Sequence, residues 1–466
     1  MDVTAIIMAA GEGTRMKSNH AKVAHQILGK PMITWIVDAV VEAGIGRIVV
    51  VVGSHADEVR SLMDARRADA EAAGTTIECV EQTERLGTGH AVRVALEATG
   101  APCGPVVVLN GDLPLIQAQT VRSFAESVAD GKAAAAVLAM LPPDPTGYGR
   151  VITGADGELI SIVEQKDCTP EQAAIQLSNA GCYAFDGELL AAHIGDITND
   201  NAQHEYYLPD MLGILREAGH AVTAFTCEDY RDGLGVNSRA QLAQLTAIAR
   251  DRINERLMAA GVTFVDPTQA WISPDAQIGR DTVVWPQTHL IGACRIGEDC
   301  QLGPNTRLTN VTCGNGCSLD ETVGIDVTIE NGVTCGPRCY LRPGTHLLDG
   351  AHVGTHVEIK KSTIGEGSKV PHLSYIGDTT MGAGVNVGAG SITCNYDGKN
   401  KHATTIGDRT FIGSDTMMVA PVNIGADAIT GASSCITRDV PAGALAIERS
   451  EQRIIEGYTE LRRERL

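Results

Sequence analysis

The chain has 466 residues, which is long enough for two or three domains. Apolar residues make up 44% of it, while aromatic residues are only 4% and glycine is abundant at 51 residues. The formal net charge of −20 disfavours nucleic acid as a partner, because a polyanion would be repelled over most of the surface. Any phosphate ligand must therefore be held locally, by lysine, arginine, backbone N–H groups or a metal ion.

The N-terminal residues contain a short apolar run without a basic segment before it, so we expect no signal peptide. A stretch of about 18 apolar residues, which a membrane span requires, does not occur, and we expect no membrane partner. The 13 cysteines, an odd number, favour a reducing compartment. Together these features predict a cytoplasmic protein.

Short apolar strands alternate with helical stretches over the first part of the chain. Strands are predicted at Ala5–Ala9, Arg47–Val52 and Val106–Leu109, and a helix is predicted at Pro31–Ala43. The strands are continuous runs of apolar, mostly β-branched residues, which is typical of a parallel sheet covered on both faces. We therefore predict an α/β domain with a mostly parallel, Rossmann-like sheet over residues 1–237.

Residues 238–260 contain neither glycine nor proline and are rich in good helix formers. Ser238 is a suitable N-cap, and Gly261 follows the predicted end. We predict a helix that connects two domains. The alternative is a last helix of the first domain.

From about residue 270 onward, an aliphatic residue followed by glycine recurs at separations of 6, 12 or 18 residues. Examples are Ile278-Gly279, Ile296-Gly297, Val353-Gly354, Ile364-Gly365, Ile376-Gly377, Val387-Gly388, Ile406-Gly407, Ile412-Gly413 and Ile424-Gly425. This hexapeptide repeat predicts a left-handed parallel β-helix over residues 261–466, with one aliphatic side chain in each repeat pointing inward. The glycine is expected at corners where a Cβ atom would be crowded.

A glycine-rich turn, AAGEGTRM at residues 9–16, follows the first strand directly. Consecutive backbone N–H groups in such a turn form an anion-binding concavity. Arg15 and Lys22 would add the positive charge that the acidic chain otherwise lacks. A G-x-G pattern alone is weak evidence, since most such pairs are simply tight turns.

The third strand ends in Leu109-Asn110-Gly111-Asp112, which places a carboxylate at the sheet edge where α/β domains bind ligands. Mg²⁺ prefers one or two carboxylates together with phosphate oxygens and water, so Asp112 is a candidate ligand. A carboxylate that caps the turn before Pro114 is an equally good interpretation of the spacing alone.

Three features interrupt the hexapeptide half and suggest a second site. Arg342 and Lys360 lie on coils, where they could hold a sugar phosphate. His372 and Tyr375 lie in an irregular PHLSY segment, and residues 393–401 leave the coil between regular repeats. A lone histidine is more often a packed or solvated residue, and a hexapeptide stack can serve only as a scaffold or trimerisation module.

Cys313 and Cys317, with Cys335 and Cys339, have spacings that could indicate a four-thiolate zinc site. The hexapeptide register favours another interpretation, in which these cysteines are small buried residues, as Cys300 would be. Metal analysis distinguishes the two.

The motifs together resemble those of a known enzyme family. They are GEGTRM with Lys22, EQTERLGTGHA at 81–91, LNGDLPLI at 109–116, GYGR at 147–150, VEQKD at 163–167, NAQHEYYLPD at 201–210 and GVNSRAQL at 235–242. They resemble sugar-phosphate nucleotidyltransferases. With the hexapeptide half, essentially the whole chain is similar to the bacterial bifunctional N-acetylglucosamine-1-phosphate uridyltransferases/glucosamine-1-phosphate N-acetyltransferases.

The resemblance implies a homotrimer that makes UDP-N-acetylglucosamine for peptidoglycan and lipopolysaccharide precursors. Its substrates would be acetyl-CoA with glucosamine-1-phosphate, and UTP with N-acetylglucosamine-1-phosphate. Its metal would be Mg²⁺, held by Asp112 and Asn237, and its acetyltransferase site would lie at a subunit boundary. For Asp112, the resemblance therefore favours the role of magnesium ligand over that of a turn cap, which the spacing alone did not decide.

In the uridyltransferase site, the resemblance implies Arg15 and Lys22 as catalytic cations. The implied nucleotide-binding residues are Met8, Ala9, Ala10, Gly11, Lys22, Gln82, Gly87, Thr88, Asn110 and Gly111, with Gln82, Gly87 and Thr88 at the uracil. The implied sugar-phosphate residues are Gly149, Glu164, Asn179 and Asn237. Residue 21 is alanine where the family usually has proline, which affects the expected geometry of Lys22.

In the acetyltransferase site, the resemblance implies His372 as the catalytic base. The implied glucosamine-1-phosphate residues are Arg342, Lys360, Tyr375 and Asn386, with Asn395 also near this substrate. The implied acetyl-CoA residues are Ala389, Asn395, Tyr396, Ser414, Ala432 and Arg449. Direct attack without an acyl-enzyme is expected, because the sequence offers no cysteine or serine with a partner arranged to activate it.

Two other functions are compatible with parts of the sequence. The chain could keep only the nucleotidyl transfer, with a β-helix tail used for regulation or assembly. It could also be a non-catalytic scaffold, which would tolerate loss of the glycine-rich turn, Lys22 and Asp112. The first alternative leaves seven polar residues of the second site without a purpose, namely Arg342, Lys360, His372, Tyr375, Asn386, Asn395 and Tyr396. The second is disfavoured because the glycine-rich turn, Lys22 and Asp112 are all present.

Overall fold

The computed structural model describes residues 2–102, 104–155, 157–201, 203–463 and 465. The chain divides into two compact units, Met1–Ala249 and Arg250–Leu466. The division falls inside a long helix, Arg239–Ala259, which occupies the segment predicted to be helical. The extents 1–237, 238–260 and 261–466 remain our proposed limits for the two catalytic domains and the helix between them.

The first unit contains the predicted α/β sheet. Its strands are β1 Thr4–Ala9, β2 Gln26–Ile27, β3 Lys30–Pro31, β4 Arg47–Val52, β5 Thr76–Glu81, β6 Val106–Asn110, β7 Ala135–Met140, β8 Arg150–Thr153, β9 Leu159–Val163, β10 Ser178–Phe185 and β11 Val222–Thr226. The main sheet has the order β11-β7-β10-β6-β1-β4-β5. Strand β10 runs antiparallel to both neighbours, and the β8–β9 hairpin pairs with it. The prediction of a mostly parallel sheet is confirmed.

Helices cover this sheet. They are α1 Met32–Glu42, α2 Ala56–Ala72, α3 Thr88–Thr99, α4 Ala118–Glu126, α5 Pro170–Ala173, α6 Gly187–His193, α7 Asp210–Glu217 and the long helix α8 Arg239–Ala259, and α9 Tyr458–Arg463 lies near the C-terminus of the chain. Single turns of 3-10 helix lie at Thr14–Met16, Lys22–Ala24, Ala129–Gly131, Gln165–Asp167, Ile194–Asp196, Tyr230–Gly233 and Pro267–Gln269. None of the helices within the described residues is both long enough and apolar enough to span a bilayer.

The parallel register of the central strands places the site. Strand β1 pairs in parallel with both β4 and β6, with Met8 opposite Asn110 and Ala9 opposite Val52. The carboxyl ends of these strands therefore meet at one edge. The glycine-rich turn and Asp112 both leave the sheet at that edge, which is where open α/β sheets bind ligands.

The second unit is built from three parallel sheets that the chain visits in rotation, which confirms the predicted β-helix. The first sheet contains Thr263–Phe264, Val283–Val284, Gln301–Leu302, Ser318–Leu319, Thr334–Cys335, His352–Thr355, Lys369–His372, Asn386–Val387, Phe411–Ile412, Ile429–Thr430 and Leu445–Ala446. The second contains Ala270–Ile272, Thr288–Ile291, Arg307–Thr309, Val323–Ile325, Tyr340–Leu341, Glu358–Lys360, Tyr375–Gly377, Ile392–Cys394, Met417–Val419 and Cys435–Ile436. The third contains Gln277–Ile278, Arg295–Ile296, Thr312–Cys313, Thr328–Ile329, His346–Leu347, Thr363–Ile364, Thr379–Met381, Thr404–Ile406 and Val422–Ile424.

Corner glycines of the β-helix lie against the next coil, as the hexapeptide pattern predicts. A Cβ atom on Gly365 would lie 2.0 Å from the Gly382 carbonyl oxygen, and one on Gly388 would lie 2.4 Å from the Ser414 nitrogen. Both distances are to backbone atoms, which cannot move away independently of the coil. These glycines are needed so that consecutive coils can approach closely.

The excursion predicted after residue 393 is also present. Asn386 pairs with Phe411, so this coil contains 25 residues, whereas Phe411 pairs with Ile429 after 18. The extra residues form a small turn outside the coil, closed by a bridge between Tyr396 and Lys401. The irregular loop is therefore held on a regular stack, an arrangement that often carries function.

Candidate functional sites

The glycine-rich turn lies beside Lys22 at the carboxyl ends of the parallel strands. Gly13 has a φ of 61°, in the left-handed region that favours glycine. A Cβ atom at this position would lie 2.6 Å from the Cβ atom of Lys22. Gly13 therefore leaves the space in which the stem of Lys22 lies, a role that the motif alone did not suggest.

Four charged and polar side chains converge at this edge. The Lys22 ammonium donates to Asp112 Oδ2 and, over 2.8 Å, to Asn237 Oδ1. Arg15 Nη2 donates to the same Asn237 oxygen, also over 2.8 Å. The Lys22 and Asp112 side chains are only 13% and 19% exposed, whereas Arg15 is exposed, so the cluster has a sheltered ion pair with a second cation at its open side.

This geometry fits the predicted magnesium ligands. Asp112 and Asn237 are separated by 125 positions in the chain, yet their oxygens contact one ammonium group. The Lys22 ammonium thus marks a position where a carboxylate and an amide oxygen coordinate a cation. Hard oxygen ligands of this kind are those that Mg²⁺ prefers.

The residues predicted to contact the uracil lie around Gln82, which is 6% exposed. Its amide nitrogen donates to the Gly87 carbonyl over 3.1 Å and is 3.0 Å from His90 Nδ1. Thr88 accepts a hydrogen bond from the Leu208 backbone over 3.0 Å. Within the described residues the Gln82 carbonyl oxygen has no hydrogen-bond partner, so it is available to a ligand.

The predicted sugar residues form a chain of hydrogen bonds beside Asn110. Asn110 Nδ2 donates to the Gly181 carbonyl over 2.9 Å, and the Gly181 nitrogen donates to Asn179 Oδ1 over 2.7 Å. The Asn179 nitrogen donates to the Gly149 carbonyl over 2.9 Å. A Cβ atom on Gly149 would lie 3.4 Å from a carboxylate oxygen of Glu164, whereas Asn237, the fourth predicted sugar residue, lies in the Lys22 cluster.

The remaining nucleotide residues line the end of β1. Ala9 and Ala10 are buried, and Gly11 is exposed with open space around the position of a Cβ atom. The Gly111 nitrogen donates to the Met8 carbonyl over 2.9 Å, which ties the Asp112 loop to this strand. The structure therefore brings these predicted residues together with the Lys22 cluster.

Sequence reasoning missed several supporting residues of this site. Gln241 Oε1 accepts from the Asn237 nitrogen over 2.7 Å, and Arg85 forms an ion pair with Glu12 of the glycine-rich turn. Cys182 lies behind Asn110, and burial raises the pKa of its thiol to about 12, so it stays protonated. Arg85, within the quoted EQTERLGTGHA motif, and Gln241, within GVNSRAQL, each had a signal in the sequence, whereas Cys182 had none.

On the β-helix, the two predicted phosphate-binding cations are paired with carboxylates. Arg342 Nη1 donates to Glu358 over 2.8 Å, and Lys360 donates to Asp378 Oδ2 over 3.3 Å. Asn395 Nδ2 donates to the same Asp378 oxygen over 2.6 Å and is 3.4 Å from the Tyr375 hydroxyl. The sequence analysis identified the cations but neither carboxylate, since acidic residues on β-helix turns are common.

His372 lies at the end of its strand, exposed, with its backbone paired to Thr355. Within the described part of the chain, its imidazole has no hydrogen-bond partner, so both ring nitrogens are open to a ligand. Its carbonyl accepts from the Ser374 hydroxyl over 2.7 Å, which fixes the backbone here. Asn386, also predicted here, lies on the next coil, paired with Lys369.

The residues predicted to bind acetyl-CoA fall into three groups. Ala389 and Ser414 lie on consecutive coils, and Ala432 lies on the coil after them, where its nitrogen would be 2.7 Å from a Cβ atom on Gly413. Tyr396 is 55% exposed on the excursion, with the Lys401 ammonium 4.1 Å from its ring centre. Arg449 lies exposed after the last strand.

Cys300 and the four cysteines of the candidate zinc spacing are all buried, as the hexapeptide register predicts. The sulfurs of Cys300, Cys313 and Cys317 lie within 4.8 Å of one another, whereas Cys335 and Cys339 are not part of this group. Cys300 donates to the Gly314 carbonyl over 3.2 Å and Cys317 to that of Glu330 over 3.0 Å. The four-thiolate set is therefore not assembled, and the Cys300 and Cys317 thiols are satisfied by backbone carbonyls.

Comparison with known proteins agrees with both halves of this description. The family model for nucleotidyl transferases matches residues 4–271, and that for the bacterial transferase hexapeptide (six repeats) matches residues 275–310. The bifunctional protein GlmU of Heliobacterium modesticaldum is 46% identical over 98% of this chain and 97% of its own length. Those of Streptomyces avermitilis and Shouchella clausii are 47% and 45% identical, over 98% and 96% of this chain and 94% and 96% of their own lengths. The chain therefore belongs to the family of bifunctional GlmU proteins, which join a nucleotidyl transferase to a hexapeptide-repeat transferase.

Proposed function

We propose that the chain makes UDP-N-acetylglucosamine by two successive transfers. The β-helix unit moves an acetyl group from acetyl-CoA to the amine of glucosamine-1-phosphate. The α/β unit then moves a uridylyl group from UTP to N-acetylglucosamine-1-phosphate and releases pyrophosphate. The observation that carries this proposal is the presence of two separate clusters of cations, one in each unit, in a chain with a net charge of −20.

Uridylyl transfer requires neutralisation of charge rather than a general base. The phosphate oxygen of the sugar is already anionic, and it attacks the α-phosphorus of UTP as the bond to pyrophosphate breaks. Arg15 and Lys22 lie where they would hold the triphosphate and stabilise the negative charge that builds up in this step. Mg²⁺, held by Asp112 and Asn237, would neutralise phosphate oxygens and help to fix the in-line geometry.

Gln82 gives the nucleotide site a basis for base selection. Its presented carbonyl oxygen can accept a hydrogen bond from the N3–H group of uracil, whereas N3 of cytosine carries no hydrogen. Thymine shares this edge with uracil, so Gln82 does not separate the two. UTP should therefore be preferred to CTP through this residue.

For acetyl transfer, His372 is the proposed proton acceptor. The amine nitrogen attacks the thioester carbonyl carbon, the carbon–sulfur bond breaks, and the coenzyme leaves as its thiol. The open imidazole of His372 takes the proton that the amine loses and passes it to the departing sulfur, which leaves the histidine neutral again. Arg342, Lys360, Tyr375 and Asn386 would hold the sugar phosphate, and the column of Ala389, Ser414 and Ala432 would accommodate the coenzyme along the coils.

Direct transfer is preferred to a covalent intermediate. Cys394, which precedes Asn395, is the cysteine adjacent to this cluster, and burial raises the pKa of its thiol. A protonated thiol is a poor nucleophile. This supports attack by the substrate amine without an acyl-enzyme.

We also propose that the chain is a homotrimer. Phe411, Ile429 and Leu445 occupy paired outward positions on consecutive strands of one sheet and are 49%, 46% and 61% exposed. A continuous apolar ladder of this kind favours an interface, and a β-helix face packs readily around a threefold axis. Light scattering on the purified chain should give three times its mass of 49.0 kDa; a monomer at micromolar concentration would contradict this part of the proposal.

A reducing compartment, the cytoplasm, is the proposed location. The 12 cysteines that the structure describes are all free thiols, most of them buried. Such a set is compatible with a compartment in which disulfides do not form.

The decisive experiment supplies glucosamine-1-phosphate, acetyl-CoA, UTP and Mg²⁺ together and omits each in turn. Without acetyl-CoA, no acetylated sugar should form, and supplying N-acetylglucosamine-1-phosphate should restore UDP-N-acetylglucosamine. Without UTP, N-acetylglucosamine-1-phosphate should accumulate. The complete mixture could give a nucleotide sugar while the mixture without UTP gave no N-acetylglucosamine-1-phosphate. That result would mean that the β-helix is regulatory rather than catalytic.

A further inference from the structure

We propose that Asp378 is a positioning residue of the acetyltransferase site, which orders Lys360, Asn395 and Tyr375 for binding of the sugar phosphate. This inference rests on the proposed acetyl transfer. It adds an anionic residue to a site whose predicted substrate-binding residues are cationic or neutral.

The contacts of Asp378 connect three parts of the β-helix. Its Oδ2 atom accepts from Lys360 on the preceding coil and from Asn395 at the base of the excursion. Asn395 in turn lies within reach of the Tyr375 hydroxyl. The side chain of Asp378 is only 12% exposed, so solvent screens these interactions weakly.

The backbone at Asp378 is equally constrained. Its nitrogen donates to the Lys360 carbonyl over 3.0 Å, and its carbonyl accepts from the Thr404 nitrogen over 3.1 Å, where the chain re-enters the coil after the excursion. Its φ of 51° lies in the left-handed region, which aspartate and asparagine tolerate better than other residues with a Cβ atom. Asp378→Asn should therefore keep the backbone while removing the charge.

Gly377, the preceding residue, leaves the space for these contacts. A Cβ atom there would lie 2.5 Å from both Asn395 Nδ2 and the Tyr375 hydroxyl oxygen. The two polar side chains thus meet directly above a residue without a side chain. Asn395 and Tyr375 thus occupy the space that Gly377 leaves open, and Asn395 also shares the Asp378 acceptor with Lys360. Side chains that position a ligand are expected to be held by such supporting contacts.

Two opposite effects of the Asp378 charge can be separated. A carboxylate beside Lys360 weakens the attraction of that lysine for a phosphate, so a purely electrostatic account predicts tighter binding when the charge is removed. A positioning account predicts weaker binding, because the neutral amide oxygen that replaces the carboxylate would hold Lys360 and Asn395 less firmly. Exchange of an ionised acceptor for a neutral amide weakens both hydrogen bonds, and we expect the positioning effect to be about 10-fold.

The test compares Asp378→Asn with Asp427→Asn in the full-length protein. Asp427 is a suitable control because it has a φ of 56°, lies on the same β-helix and accepts from Arg409 over 2.8 Å, and neither residue of this pair is a predicted site residue. We expect Asp378→Asn to raise KM for glucosamine-1-phosphate about 10-fold with kcat changed less than about threefold. The control should leave both constants unchanged, and uridylyl transfer from N-acetylglucosamine-1-phosphate should be normal in both variants.

A second measurement does not depend on activity. If Asp378 holds the base of the excursion through Asn395, trypsin should cleave after Lys399 or Lys401 faster in Asp378→Asn than in Asp427→Asn. A KM that stays the same or falls, together with unchanged proteolysis, would overturn the inference. Absence of acetyl transfer in the unmutated protein would instead refute the proposed function itself.

Discussion

The two candidate sites are assembled in different ways. In the α/β unit, Lys22 reaches Asp112 and Asn237, which are 90 and 215 positions away in the chain. In the β-helix, Arg342 and Lys360 meet Glu358 and Asp378, which are 16 and 18 positions away, about one coil. A repeat therefore places its functional residues at a spacing that can be counted, whereas the sheet-edge site depends on how distant loops pack.

The two sites share one electrostatic feature. In each, a cation expected to bind a substrate phosphate is paired with a carboxylate of the chain itself. Such a pair keeps the cation ordered. Because the cation must leave its carboxylate to bind a phosphate, the net free energy of phosphate binding is smaller than the attraction between cation and phosphate alone. The predictions below test how far the sites are independent and how much each depends on these pairs.

The largest expected effect separates the two activities. His372→Ala should lower kcat for acetyl transfer about 10³-fold, since a positioned general base contributes roughly 10²–10⁴, and should leave uridylyl transfer nearly unchanged. His346→Ala removes a histidine on a neighbouring coil that is bonded to Glu330 and serves as the control. Equal loss of both activities in His372→Ala would show that the sites are not separate.

Asp112→Ala should reduce uridylyl transfer about 10²-fold, by analogy with the loss of one preorganised electrostatic contact, and should weaken its dependence on Mg²⁺. Acetyl transfer should be unaffected. Asp64→Ala, which removes an exposed carboxylate from α2, provides the control. Full uridylyl transfer with an ordinary magnesium titration in Asp112→Ala would mean that the metal is held by other residues.

The regularity of the β-helix can be tested with two neighbouring glycines. Gly365→Ala should lower the free energy of unfolding of this unit by about 2–3 kcal/mol, because the new Cβ atom would overlap the Gly382 backbone. Gly367→Ala meets no atom within 4 Å, and its φ of 61° should make it cost only about 1 kcal/mol. Calorimetry of both variants measures the difference, and equal shifts in Tm would argue against close contact between coils at Gly365.

The smallest expected effect is a change in metal affinity on removal of the Lys22 ammonium. If its ammonium competes with a divalent ion for Asp112 and Asn237, Lys22→Met should bind Mn²⁺ about 10-fold more tightly when no nucleotide is present, a difference of about 1.4 kcal/mol. Lys132→Met removes the same charge from an exposed position and should not change the affinity. Paramagnetic resonance of free Mn²⁺ gives the measurement, and equal or weaker binding in Lys22→Met would exclude such competition.

The sequence by itself determined the architecture of both units. Continuous β-branched runs predicted β1, β4 and β6 to within one residue, and the aliphatic–glycine repeat predicted the stacked coils and the crowded corners at Gly365 and Gly388. Both signals are local or periodic, because burial of a strand and closure of a coil impose a residue type at each step. Family resemblance then supplied the site residues, whose roles remain predictions.

Only the tertiary structure decided which groups act on one another. It showed that one ammonium contacts both Asp112 and Asn237, that Asp378 joins Lys360 to Asn395, and that Cys300 rather than Cys335 lies beside Cys313 and Cys317. None of these contacts has a local signature, since a carboxylate or thiol looks the same in the sequence whatever packs against it. Their partners are fixed by how loops and coils meet in space, which is set by the packing of the whole unit.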